Sequence, residues 1–354
     1  MRHFRFVLGT FVLFVVAHPL IAATYYVGSC RVGAFTTISG ALAAVPAGST
    51  IDVCPGTYNE QVHIQQSVTL QGIASGIFAQ PVIGSPATGL TATTTSDFGD
   101  ILPYQVWVDN TSGPVNLTDI TVDGSGNGVA SGPCASVGYV VGIFYQNSSG
   151  TVNHVTTRNQ QGNGCGVGIW LEGGSTNPTV TVTNSSIHDN DYTGINAETN
   201  ALTPELTTII KGNYANSTNY AMAIYYGTTN TVTSNSVSSG FIGFATTGGL
   251  GSFSSNTVMD SYYGIAAGGQ MSITSNKVIN SYQAAIVSNT SNELIQSNSI
   301  MKASVGISFT CTADNNVNHN SITDVSTGLD QVPVSVTSVN SYFDVATIRS
   351  QGSC

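Results

Sequence analysis

Glu172 and Glu198 each stand three residues past an isoleucine that follows a glycine, in the phrases Gly168-Ile169 and Gly194-Ile195. Carboxylates at equivalent repeat positions suit glycoside hydrolysis, which uses a pair about 5–5.5 Å apart for retention or roughly 6.5–9.5 Å apart for inversion. With Asp189 or Asp191 they would also make a hard oxygen set for Ca²⁺, the one cofactor these residue types call for. Arg158 and His188 offer a third chemistry. Eliminative cleavage of a uronic-acid polymer needs a base beside the proton to be removed and a cation or hydrogen bond on the neighbouring carboxylate. Trp170, Asn196 and Tyr225 directly follow Ile169, Ile195 and Ile224. If those isoleucines face inward, period-two alternation puts the three residues and the glutamates on one outer face, an aromatic, amide and carboxylate strip for binding sugar.

Stacking such residues requires a repeating scaffold, and the sequence contains one. A polar residue, a variable one and an aliphatic or small one recur as Asn153-His154-Val155, Ser185-Ser186-Ile187, Asn213-Tyr214-Ala215, Asn235-Ser236-Val237, Asn256-Thr257-Val258, Asn276-Lys277-Val278, Asn298-Ser299-Ile300 and Asn320-Ser321-Ile322. Their first positions are 32, 28, 22, 21, 20, 22 and 22 residues apart, a solenoid period settling near 22. A second phrase, small then apolar, follows each: Gly168-Ile169, Gly194-Ile195, Ala223-Ile224, Gly243-Phe244, Gly264-Ile265, Ala285-Ile286, Gly306-Ile307 and Gly328-Leu329. Short β-branched runs punctuated by Gly, Asn and Ser predict strands, and amphipathic helical spacing is missing. A leucine-rich repeat would need LxxLxL spacing, which the chain lacks. The fold expected is a right-handed parallel β-helix with coils of about 22 residues, and its Asn column is expected to be structural, amides bonding to one another and to backbone. On the first phrase, Arg158 lies three past Val155 and His188 one past Ile187, which places both on an exterior face.

The segment 35–48 holds the one convincing helix, with Ile38, Leu42 and Val45 on one face and Pro46 ending it. It is expected to cap the open end of the solenoid. Arg2, His3 and Arg5, the apolar run Phe6 to Val16, and Ala22-Ala23 have the layout of a secretory signal peptide over 1–23. The organisation expected is a leader (1–23), an N-terminal cap with the first coils (24–110), β-helix repeats (111–332) and a C-terminal cap segment (333–354), with 24–354 one secreted domain, extracellular or periplasmic. Six cysteines follow the leader, and export makes disulfides the expectation. Proximity favours Cys30 with Cys54, Cys134 with Cys165 and Cys311 with Cys354. No CxxC spacing or Cys/His cluster points to a metal.

Eight basic residues against 18 acidic ones give a net charge of −10, and loss of Arg2 and Arg5 with the leader would make it more acidic still. Nucleic acid and anionic membrane are therefore disfavoured partners. Charged residues are only 7% of the chain while 41% is hydrophobic, which speaks for a folded β-rich protein rather than disorder. The apolar run at the start is too short for a comfortable bilayer span, so no membrane insertion is expected.

The run from Ile38 through Cys54-Pro55-Gly56-Thr57-Tyr58-Asn59-Glu60-Gln61-Val62 to Val68-Thr69-Leu70-Gln71-Gly72 resembles the N-terminal region of pectin-lyase-like right-handed β-helix proteins, including pectin methylesterases and periplasmic β-helix repeat proteins. The Asn-rich repeats extend the likeness loosely to about residue 330. The resemblance implies the fold and little chemistry. Catalytic motifs of pectin methylesterases, polygalacturonases and pectate lyases are missing, and Asp97-Phe98-Gly99-Asp100 is too poor a match to the first of these to carry a role. A copper-handling role, as in distant periplasmic relatives, lacks a His or Met cluster. The function expected is polysaccharide engagement by a lyase or glycoside hydrolase, with a non-catalytic binding, adhesion or structural protein as the alternative. An anionic polymer would need bridging Ca²⁺ or a local basic site to approach so acidic a chain.

Overall fold

The computed structural model describes residues 23–73, 80–129, 134–174, 176–200, 205–310, 315–333, 336 and 338–352. The leader, but for its last residue, and the pairing of Cys311 with Cys354 lie outside the described residues. Short alternating runs form the strands. In Ser49–Val53 the residues Ser49, Ile51 and Val53 are buried and the two between them half-buried. Each strand pairs in parallel with the equivalent strand one coil on, and a single antiparallel pair, Thr93–Thr95 with Ile101–Asp109, stands apart among the described residues.

Three interior columns define three sheets. One passes through Val106, Ile143, Ile169, Ile195, Met222, Phe244, Ile265, Ile286, Ile307 and Leu329. A second holds Leu117, Val152, Val182, Ile210, Val232, Phe253, Ile273, Ile295 and Val317. The third runs Val122, Thr157, Ile187, Ala215, Val237, Val258, Val278, Ile300 and Ile322. Apart from the buried Thr157, these columns belong to one continuous hydrophobic core. This is a parallel β-helix.

The Asn column bonds as a ladder. Asn213, Asn235, Asn256, Asn276, Asn298, Asn320 and Asn340 are 22, 21, 20, 22, 22 and 20 residues apart, and each Nδ2 donates to the next Oδ1 at 2.9–3.0 Å. Each Oδ1 beyond Asn213 also accepts the backbone N–H of the Asn before it. The second Nδ2 hydrogen goes to a carbonyl of the preceding turn, such as Val232 for Asn256. Ser185 continues the column, its N–H donating to Asn213 Oδ1 and its Oγ accepting from Val155 N–H. Asn153 does not belong. Thr157, not Val155, pairs with Ile187, so the phrase alignment at Asn153 is two residues out of register. A two-residue slip keeps every side chain on its own face, and face patterning cannot detect it.

The conspicuous N-terminal phrase has a mechanical reading. A seven-residue helix, Ile38–Ala44, buries Ile38, Ala41 and Leu42. Thr37 caps it by accepting from Gly40 N–H, and the Glu60 carboxylate takes the N–H groups of Ile38 (2.7 Å) and Ser39 (2.9 Å). The hydroxyl of Tyr58 donates to Cys54 O at 2.8 Å, and Gly56, at φ +154, turns the chain between them. Gly-Thr-Tyr-x-Glu thus ties the helix to the first coil.

Disulfides join Cys30 to Cys54 and Cys134 to Cys165. The second closes a separation of 31 residues. Replacing both Cys134 and Cys165 with serine is expected to lower unfolding free energy by roughly 3–4 kcal/mol through the freed denatured chain; an unchanged urea midpoint under matched conditions would contradict it.

Candidate functional site

The site lies on the outside of the first sheet, on strands Val140–Gln146, Gly166–Glu172, Thr193–Glu198 and Tyr220–Ile224. With Ile143, Ile169 and Ile195 inward, the outward rows are Phe144, Trp170, Asn196, Ala223 and Gln146, Glu172, Glu198. Glu172 and Glu198 are therefore neighbours on adjacent coils. Tyr225 is displaced from its expected row: Asn196 pairs with Ala223, so the phrase Ala223-Ile224 also sits two residues out of register, and Tyr225 follows Ile224, the partner of Ala197, next to Glu198.

Outward does not mean exposed here. The antiparallel hairpin, with its tip at 96–100, folds back over this sheet and makes a second hydrophobic cluster of Leu102, Val141, Phe144, Val167 and Trp170, with Trp107, Tyr139 and Tyr192 against it. Trp170 is 3% exposed, Asn196 6% and Glu172 0%. The open strip expected from sequence is thus corrected to a covered one. Glu172 accepts from Asp97 N–H at 2.9 Å and from Gln146 Nε2 at 3.1 Å, so it holds the hairpin tip down. Asn200 Nδ2 and Gln146 Nε2 secure the same hairpin through Asp97 O and Thr95 O.

What stays open is a cavity of about 200 Å³ beside the hairpin tip, lined by Phe98, Asp100, Tyr139, Val167, Trp170, Tyr192, Thr193, Asn196, Glu198 and Tyr225. It has two carboxylates, aromatic walls and no lysine or arginine. Burial raises the Glu198 carboxyl to about 7, with Asp100 adding repulsion and a 2.8 Å hydrogen bond from Asn196 opposing it. Burial likewise lifts Tyr192 to about 12 and raises Tyr225, so both stay neutral donors. The Trp170 indole N–H is buried without an acceptor among the described residues.

Glu172, pushed up to about 8 chiefly by burial, has a consequence for stability. The folded protein keeps a proton that the unfolded chain releases near 4.5, so this contribution is full below that pH and is lost as pH rises through about 8. Thermal midpoints are expected to fall between pH 5 and 9 and to fall less in Glu172→Gln. Parallel curves for the two proteins would contradict that role.

Arg158 and His188 are adjacent-coil partners on the third sheet and do not line the cavity. Arg158 Nε is 2.8 Å from Asp123 Oδ2. Burial alone would raise Asp123, but hydrogen bonds from Asn159, Ser125 and Arg158 outweigh it and hold the carboxyl at about 2. His188 Nδ1 lies 2.6 Å from Asp189. Asp191 is taken up by the N–H groups of Gly162, Gly164 and Gly166, fixing the loop that carries Cys165. Among the described residues no group of three or more His, Cys, Asp or Glu could hold a metal ion, so the Ca²⁺ set of Glu172, Glu198, Asp189 and Asp191 is not assembled.

Sequence reasoning missed Phe98 and Asp100, from the hairpin that folds over the solenoid and carries no repeat signal, and Tyr139, which directly precedes the solenoid strand Val140–Gln146. Asp97-Phe98-Gly99-Asp100, dismissed as a motif, forms the tip itself. Tyr192 left a trace: it precedes Gly194 by two, as Phe241 precedes Gly243 and Tyr262 precedes Gly264.

The parallel β-helix is shared with several solved structures. The catalytic domain of a GH87 α-1,3-glucanase superposes with a TM-score of 0.63 at 14% identity, covering 92% of this chain, which spans 65% of that domain. The A-module of the Azotobacter vinelandii mannuronan C-5 epimerase AlgE6 gives 0.54 at 14% identity, over 88% of this chain and 94% of its own. PfbA, a surface adhesin of Streptococcus pneumoniae, gives 0.60 at 13% identity, over 87% of each chain. Identities this low establish the fold alone. No family model matches the sequence, and no curated protein does.

Proposed function

We propose that this is a secreted glycoside hydrolase acting on an uncharged glycan in the cavity beneath the hairpin tip. The observation that carries the reading is the cavity's composition: Glu198 and Asp100 among tyrosine and tryptophan side chains, with no cation to receive a uronate. Glu198 keeps its proton to near neutral pH and gives it to the departing glycosidic oxygen; Asp100 acts from the other side, on water or on the anomeric carbon. Asn196 and the neutral tyrosines donate to sugar hydroxyls, and the rings stack on its C–H faces. Glu172 is the support beneath, not a reacting group. Fold neighbours that include an α-1,3-glucanase and an adhesin fit carbohydrate engagement, and two disulfides fit export.

Elimination loses support because Arg158 and His188 are tied to Asp123 and Asp189 away from the cavity. The test is incubation with α- and β-glucans, galactomannan, xylan and polygalacturonate, recording new reducing ends and absorbance at 235 nm. Reducing ends from a neutral polymer, with no absorbance growth, are expected. Unsaturated products would restore elimination, and silence from folded protein across the panel would favour a binding protein.

A further inference from the structure

A line of aromatic rings leaves the cavity and runs along the solenoid. Tyr192 at the cavity lies 5.8 Å from Tyr220, Tyr220 lies 6.4 Å from Phe241, Phe241 stacks on Tyr262 at 5.8 Å with planes 22° apart, and Tyr262 lies 5.4 Å from Tyr282. Successive coils supply them near the edge of the first sheet: Tyr192 and Phe241 just ahead of Thr193–Glu198 and Ile242–Thr246, Tyr220 at the start of Tyr220–Ile224, and Tyr262 and Tyr282 within the longer strands Thr257–Ala267 and Lys277–Ser288.

These rings are not core. The interior columns already fill the solenoid, while Phe241 is 41% and Tyr282 75% exposed. Single exposed aromatics need no explanation; a contiguous row is the kind of surface that marks a binding site. Its chemistry narrows the ligand. The row is narrow, widened to two rings only where Tyr263 lies against Phe241 and Tyr262, and polar-edged: Asp260, Ser261 and Asn280 line the shallow groove between Tyr262 and Tyr282. A lipid surface or an amphipathic helix would want a broad apolar face. A polyanion would meet Asp260 and a chain of net charge −10. Alternating ring faces and hydrogen-bonding edges match a chain of sugar rings, each with a C–H face and equatorial hydroxyls.

We propose that Tyr192, Tyr220, Phe241, Tyr262 and Tyr282 form a track that binds a linear, uncharged polysaccharide along the solenoid axis and feeds it into the cavity. This rests on the neutral-glycan reading of the cavity and adds to it that the ligand is a long chain, engaged over several sugar units. Affinity then rises with chain length, and cleavage falls within chains rather than only at their ends.

The experiment is affinity electrophoresis of the full chain through gels containing mixed-linkage β-glucan, α-1,3-glucan, galactomannan, xylan or polygalacturonate, with a trisaccharide of each polymer as a competing short probe. Wild type and Glu198→Gln are expected to be retarded alike by a neutral polymer. Phe241→Ala and Tyr282→Ala each weaken that retardation roughly threefold to tenfold, the size of one aromatic contact, and the double variant abolishes it while the trisaccharide still binds. Both positions are exposed, and unchanged thermal midpoints would show that folding is intact. Equal retardation of wild type and the double variant overturns the track and leaves the cavity reading standing. Retardation by polygalacturonate alone, or by no polymer, overturns both.

Discussion

Glu198→Gln is expected to reduce the release of reducing ends from the preferred neutral glycan by roughly 10²–10⁴-fold, the usual contribution of a positioned general acid, with folding and polymer binding intact. The amide still accepts the 2.8 Å hydrogen bond from Asn196 Nδ2, so the geometry of the wall survives while the transferable proton does not. The pH profile carries the same information. Burial sets the Glu198 carboxyl at about 7, and the acid form is the active one, so turnover falls about tenfold per pH unit above that value. Asp100→Asn is expected to be comparably damaging, because the second carboxylate has no substitute among the cavity residues. An alkaline limb unchanged in position with a slower-than-tenfold loss for Glu198→Gln would remove Glu198 from the reaction.

How far the sequence reaches can be judged from Glu172 and Trp170. Their coil positions were legible: both follow Gly168-Ile169, and parallel pairing puts Glu172 against Glu198 as the repeat predicts. Their environment was not, because burial depends on a hairpin from residues 93–109 that obeys no repeat and reaches the sheet through tertiary contacts. Tyr225 and Asn153 show a second limit. Side chains alternate with period two, so alignments that differ by two residues share the same inward and outward assignment, and only hydrogen-bond register separates them. Arg158 and His188 do pair on adjacent coils, although the phrase alignment that put them on one face was itself two residues out; the error preserved the face. Cavity residues drawn from the repeat were therefore recoverable in part, Tyr139 among them through the phrase Gly142-Ile143, whereas Phe98 and Asp100 had no signature to read.

The Asn ladder gives the sharpest stability prediction, since it makes the turn it occupies depend on one amide per coil. Asn256 Oδ1 accepts both the N–H and the Nδ2 of Asn235, and its Nδ2 donates to Val232 O and Asn276 Oδ1. Asn256→Ala would orphan the buried N–H of Asn235 and the carbonyl of Val232, at about 1–3 kcal/mol for each unsatisfied group, so a loss of roughly 2–6 kcal/mol is expected in urea unfolding. Asn256→Asp keeps the acceptor and loses the donor, placing a carboxylate against Val232 O and Asn276 Oδ1; it is expected to be tolerated at low pH, where the protonated acid can donate once, and to destabilise as pH rises. In a solenoid each coil leans only on its neighbours. Hydrogen exchange in Asn256→Ala should therefore quicken first at the turns of Asn235 and Asn276, with the coils near Val62 less affected. Uniform acceleration along the whole chain would show instead that the solenoid unfolds as a single cooperative unit and that the ladder contributes only to its total stability.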